Sequence, residues 1–139
     1  MSNFYSKDEL KEIGLKSYGK NVLISRKCNI YGTGNMEIGN HVRIDDFCIL
    51  SGEIVLKNFI HIAAFSVLYG GNEGIYIDDF SGTSSKVCIY SLTDDYSGES
   101  MSNPMVPEQY KKVYSAPVYI RKYVLIGSTS VVMPGVGIV

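Results

Sequence analysis

Histidine is scarce in this chain: His41 and His61 are the only two in 139 residues. Two imidazoles cannot supply the three-histidine zinc set that a carbonic-anhydrase-like protein requires. The three cysteines, Cys28, Cys48 and Cys88, are too few for a disulfide framework and lack zinc-site spacing. No metal is therefore expected. Charged residues make up only 19% and the net charge is −1, which argues against a nucleic-acid surface or a polybasic membrane patch. No apolar run approaches the ~18 residues needed to span a bilayer, and the N-terminus lacks a signal-peptide hydrophobic region. A soluble, cytoplasmic, single-domain protein is expected at this length.

What the chain does have is a period of six. Ile38, Ile44, Leu50, Leu56, Ile62 and Leu68 follow one another at that interval, and the count resumes at Ile77, Thr83 and Ile89. Backwards it reaches Ile24 and Ile30; near the end it returns at Ile120, Ile126, Val132 and Ile138. Two positions before each core residue stands a second inward candidate, often smaller: Met36, Val42, Cys48, Ile54, Ile60, Ser66, Ile75, Ser81 and Val87. An α-helix repeats its apolar stripe every 3.6 residues, and a long strand alternates throughout, so neither fits. Short strands joined by tight turns, three to a coil, do fit. The expected fold is all-β: a parallel β-helix of hexapeptide repeats. A β-sandwich is the competing fold.

Three repeats per coil sort the core into three faces. Face A carries Ile24, Ile44, Ile62, Thr83 and Ile126; face B carries Ile30, Leu50, Leu68, Ile89 and Val132; face C carries Ile38, Leu56, Ile77, Ile120 and Ile138. Cys28, Cys48 and Ser66 then stack as a row of small inward side chains, with Cys88 outward. Every break in the period falls between faces B and C. The breaks lie near Tyr31–Gly34, near Gly70–Asn72, and in the long excursion 90–117. Insertions gathered on one edge of a repeat protein usually mark its working edge. The long excursion is rich in Ser, Asp, Asn and Pro, so a loop with at most one helical turn is expected. Along face B an outward row of Ile49, Tyr69, Cys88 and Val131 is too apolar for solvent and suggests a subunit contact.

Residues 1–20 precede the repeat, leaving 21–139 as the β-helix domain. Ser6-Lys7-Asp8-Glu9 has the form of a capping box and Gly14 is a natural stop, so a short helix is expected over the first coil. The chain ends in mid-coil at Ile138-Val139, which suggests truncation at the C-terminal side.

His41 falls in a turn and is expected to be solvated. His61 lies between inward Ile60 and Ile62 and must project outward from the middle of face A, with Arg43 one coil below and Gly82 one coil above. A glycine there is expected to leave space over the imidazole and bare a backbone N–H about one strand spacing away. That pairs a general base with an oxyanion donor.

With these residues in view, Phe59–Ala64, Asp79–Gly82, Asp94–Gly98 and Ile126–Ser128 resemble the hexapeptide-repeat acyltransferases, in particular their galactoside O-acetyltransferase-like branch. The resemblance covers nearly the whole chain. It implies a left-handed coil and a homotrimer with active sites between subunits. It also implies acetyl-CoA as co-substrate and O-acetylation of a sugar or sugar-nucleotide acceptor, as in surface-polysaccharide biosynthesis. By position, His61 and Gly82 match the family's base and oxyanion donor. Asp94, Asp95 and Tyr96 match the acceptor loop, with an aspartate from a neighbouring subunit, or Asp45 or Asp46, orienting the base. Gly127 and Ser128 would meet the pantetheine arm. The chain departs from the better-known sugar acetyltransferases, which carry their histidine in the long loop. An inactive structural or binding module is the alternative function.

Overall fold

The computed structural model describes residues 2–139. Face A is a five-stranded parallel sheet of Val22–Ile24, Val42–Ile44, Ile60–Ile62, Gly82–Thr83 and Leu125–Ile126. Its register aligns Ile24, Ile44, Ile62, Thr83 and Ile126, as the period of six requires. Faces B and C share one nine-stranded sheet, because Ile49–Leu56 and Val67–Ile77 each run round their common corner without interruption. Ile30, Leu50, Leu68, Ile89 and Val132 stack along B, and Ile38, Leu56, Ile77, Ile120 and Ile138 along C. The fold is therefore a β-solenoid of parallel stacked coils with one helix.

In the central coils both inward positions are buried: Ile44, Cys48, Ile54, Ile62, Leu68, Ile75 and Val87 are all wholly shielded from solvent, while Ile30 and Ile138 near the ends are only partly buried. Several polar side chains in the core are satisfied by backbone. The Ser66 hydroxyl donates to the Ser84 carbonyl at 3.2 Å and that of Ser81 to the Arg121 carbonyl at 2.6 Å. The Cys28 and Cys48 thiols donate to the carbonyls of Asp45 and Ala63.

The corners explain how bulky residues tolerate an uncommon backbone. His41, Phe59, Phe80 and Tyr123 occupy one corner with φ near +60°, a left-handed conformation that costs most side chains energy. There it turns each N–H onto the coil below, onto the carbonyls of Lys20, Asn40, Asn58 and Asp79 respectively. The rings stack at centroid distances of 4.7, 4.8 and 5.4 Å. Beneath them Asn58 Oδ1 accepts from the N–H of Asn40, and Asp79 Oδ1 from that of Asn58. Phe47 and Phe65 repeat the stack at a second corner.

The helix spans Lys7–Ile13, opened by the Ser6–Glu9 capping box and closed by Gly14 at φ +84°. Leu10 is buried and joins the core. Ser17–Tyr18 already pairs with Met36–Ile38, so coiling begins before residue 21, inside the segment set apart as N-terminal. The long excursion is more ordered than its composition suggests. Leu92–Thr93 pairs antiparallel with Tyr114–Ser115, and Glu108–Tyr110 forms a 3-10 turn. No helix among the described residues is long and apolar enough to cross a membrane.

Candidate active site

Arg43, His61 and Gly82 stand in register on three successive coils, as the sequence requires. The His61 ring is about half exposed on face A. Its Nε2 lies 2.7 Å from Oδ2 of Asp45, the first residue of the corner that follows Ile44. The other carboxylate oxygen, Oδ1, accepts from Arg43 Nε at 2.7 Å. Burial acts to raise the Asp45 pKa, but the hydrogen bonds and charges of His61 and Arg43 together hold it below the ordinary aspartate value. An ionised carboxylate on Nε2 fixes that nitrogen as the donor and leaves Nδ1 as the basic atom. Asp45, ranked behind the loop aspartates from sequence, is the group that orients the imidazole within the chain.

Gly82 does not keep the role expected of it. Its N–H donates to the carbonyl of Val124 at 3.0 Å, in the next coil, so no free donor faces His61. A Cβ at Gly82 would stand 2.4 Å from the His61 carbonyl oxygen. The glycine is needed because two coils approach closely at this point, which any side chain would prevent.

Gly127 and Ser128 lie at the same corner as Asp45, three coils further along the column in which Asp45, Ala63 and Ser84 donate in turn to Ile62, Thr83 and Ile126. Apart from the residues on either side of it in sequence, no atom of the described residues lies within 4 Å of a Cβ built on Gly127. His41 belongs to the ring stack, with Asn21 Nδ2 3.1 Å from its Nδ1.

Asp94, Asp95 and Tyr96 lie elsewhere. The excursion leaves from the corner between faces B and C, across the solenoid from His61. Asp95 is engaged inside its own loop: Oδ1 accepts from the Ser97 N–H and Oδ2 from the Ser100 hydroxyl. Those bonds lower its pKa to about 2. Asp94 and Tyr96 line a cavity of about 790 Å³ between the excursion and the outer surface of face B. Tyr69 and Tyr90 form part of its wall, their rings stacked at 5.6 Å. This corrects the outward row: Ile49 aligns with Val67, Cys88 and Val131, whereas Tyr69 aligns with Ser51 and Tyr90.

No protein-family profile matches the chain. It is 48% identical over 131 residues to the dTDP-4-amino-4,6-dideoxy-D-glucose acyltransferase of Escherichia coli, over 92% of this chain and 68% of that one. It also superposes with a TM-score of 0.96 on AntD, an N-acyltransferase from Bacillus cereus, at 49% identity. That match covers 99% of this chain and 73% of AntD, in a complex with dTDP-4-amino-4,6-dideoxyglucose and coenzyme A. A further AntD structure, 50% identical, holds dTDP and 3-hydroxybutyryl-CoA. The chain belongs to this acyltransferase family.

For an acyltransferase, the coils bring His61, Asp45 and Arg43 together and set Gly127 and Ser128 on the same corner. They do not bring the Asp94–Tyr96 segment to that cluster within one chain. The sequence offers Asp45 only behind the loop aspartates, although it lies two residues beyond Arg43, the residue directly beneath His61. It gives no signal for Lys111, which lines the loop cavity, because the excursion has no period from which a side-chain direction follows.

Proposed function

We propose that the protein transfers an acyl group from acyl-CoA to the amino group of a dTDP-4-amino-4,6-dideoxyhexose. The likeness to the E. coli acyltransferase, extending over 92% of this chain, carries the proposal. An amine acceptor replaces the hydroxyl expected from sequence, since AntD is an N-acyltransferase. Acetyl is the simplest donor group, and 3-hydroxybutyryl the one AntD is seen to hold.

In this mechanism the neutral amine attacks the thioester carbon, the C–N bond forms, and the C–S bond breaks as the tetrahedral intermediate collapses. His61 Nδ1 takes the proton that the nitrogen sheds, and the coenzyme A sulfur leaves and is protonated as the free thiol. Asp45 holds the ring through Nε2 and stabilises the imidazolium formed in passing. A positioned base of this kind contributes ~10²–10⁴-fold. Asp94 and Tyr96 bind the acceptor; Gly127 and Ser128 meet the pantetheine arm. Because His61 and the Asp94–Tyr96 loop lie on opposite sides of one chain, the site is completed in a homotrimer, by the loop of a neighbouring subunit. The product would serve surface-polysaccharide assembly in the cytoplasm.

The test is turnover of dTDP-4-amino-4,6-dideoxyglucose with acetyl-CoA and with 3-hydroxybutyryl-CoA, following the N-acyl product by mass. Absence of product with both donors overturns the acceptor class. Product formed at the wild-type rate by His61→Ala overturns the base.

A further inference from the structure

The cavity beneath the long excursion contains a cation whose position its fold does not explain. The Lys111 side chain is only 7% exposed, whereas lysines usually lay their stems along a surface and keep the ammonium in water. The residue lines the cavity, and its Nζ lies 3.2 Å from Glu108 Oε1. Glu108 sits three residues earlier on the 3-10 turn and is 90% exposed. Removing an ammonium from water costs several kcal/mol, and one solvated carboxylate offsets little of that. The rest of the wall is mixed: Tyr69, Tyr90 and Tyr96 stand among apolar residues such as Leu92, Val113, Val131 and Met133. At about 790 Å³ the cavity falls within the range of small-molecule sites.

We infer that Lys111 is the diphosphate anchor of a nucleotide site in this cavity, with the tyrosines supplying the surface on which the base stacks. The inference rests on the nucleotide-sugar acceptor proposed above and names the residue that holds its charged centre. Lysine meets phosphate as a compact point charge, and a buried ammonium binds it more strongly than a surface one does. Glu108 is the resting counter-ion. Its carboxylate, already in solvent, swings away when phosphate oxygens arrive. Asp94 on the same wall suits the opposite end of the acceptor, which carries an amine. Coenzyme A also contains a diphosphate, so the shared chemistry is that group and the two sources must be separated by measurement.

Isothermal titration calorimetry of dTDP, coenzyme A and inorganic pyrophosphate separates them, on the wild type and on Lys111→Met, Lys111→Arg and Glu108→Gln. Loss of one charge-assisted contact predicts dTDP binding weakened about 10–100-fold in Lys111→Met, with coenzyme A unchanged. Lys111→Arg retains binding within a few-fold, and Glu108→Gln binds dTDP as tightly as the wild type or tighter. Unchanged dTDP affinity in Lys111→Met overturns the inference, as does loss of coenzyme A with dTDP retained. If the wild type binds pyrophosphate but not dTDP, and Lys111→Met loses pyrophosphate, the anion site stands and the acceptor class fails. If the wild type binds neither, the inference fails. Should Lys111→Met not fold by circular dichroism, Glu108→Gln decides: retained or tighter dTDP binding supports the site, and a tenfold loss overturns it.

Discussion

Around His61 the backbone is held by the coils above and below. Between Tyr90 and Pro117 the chain holds itself, with one short antiparallel pair, a 3-10 turn and side-chain caps such as Asp95 on Ser97 and Ser100. The first region fixes an imidazole, a carboxylate and a guanidinium by register alone. The second folds an aperiodic segment over face B and encloses a cavity that repetition could not shape. Chemistry common to a family suits the rigid ledge, and acceptor choice suits the loop, since a loop can vary without disturbing the coils.

The sharpest way to break that contrast is His61→Ala. We expect kcat to fall ~10²–10⁴-fold with Tm and circular dichroism retained, because the ring is half exposed and packs no core. A matching loss of stability would mean that the ledge and the fold are not separable. Leu50→Ala, at a wholly buried rung of face B, should cost about 2–5 kcal/mol in urea unfolding. Gly82→Ala comes next. Its Cβ would press on the His61 carbonyl, and overpacking of this kind costs typically ~1–3 kcal/mol, with activity lost as the imidazole shifts. A Gly82→Ala protein with unchanged Tm would show that the coils can part there.

The smallest effect belongs to the loop and reads out in acid. The Asp95 carboxyl has its pKa lowered from 3.8 to about 2 by Ser100 and Ser97, so its ionised form favours the ordered loop. The contribution is complete above about pH 4 and disappears as the pH falls through about 2. Amide exchange of Ser97 and Ser100 should quicken over that window, while the rungs around Ile62 stay protected. Asp95→Asn should remove the pH dependence.

The sequence makes the ledge legible and hides the loop for one reason. A period of six assigns each residue a face and a coil, so His61 falls between Arg43 and Gly82 before any coordinates are known. The same period describes side chains and is silent on backbone donors. The expectation for Gly82 failed there, because a residue inside a ladder gives its N–H to the next coil. Corner residues lie outside the inward and outward alternation, so the period does not single out Asp45. Lys111 sits where no period runs at all, and its inward turn depends on the chain closing over face B.

The stacked corners have a consequence for how the molecule comes apart. Each ring of the His41–Phe59–Phe80–Tyr123 column stacks on its neighbours along the axis, and the Asn40, Asn58 and Asp79 side chains link the same coils. Damage therefore spreads lengthwise, like a zip opening from its ends, and the mid-stack coils that bear His61 are the last to fray.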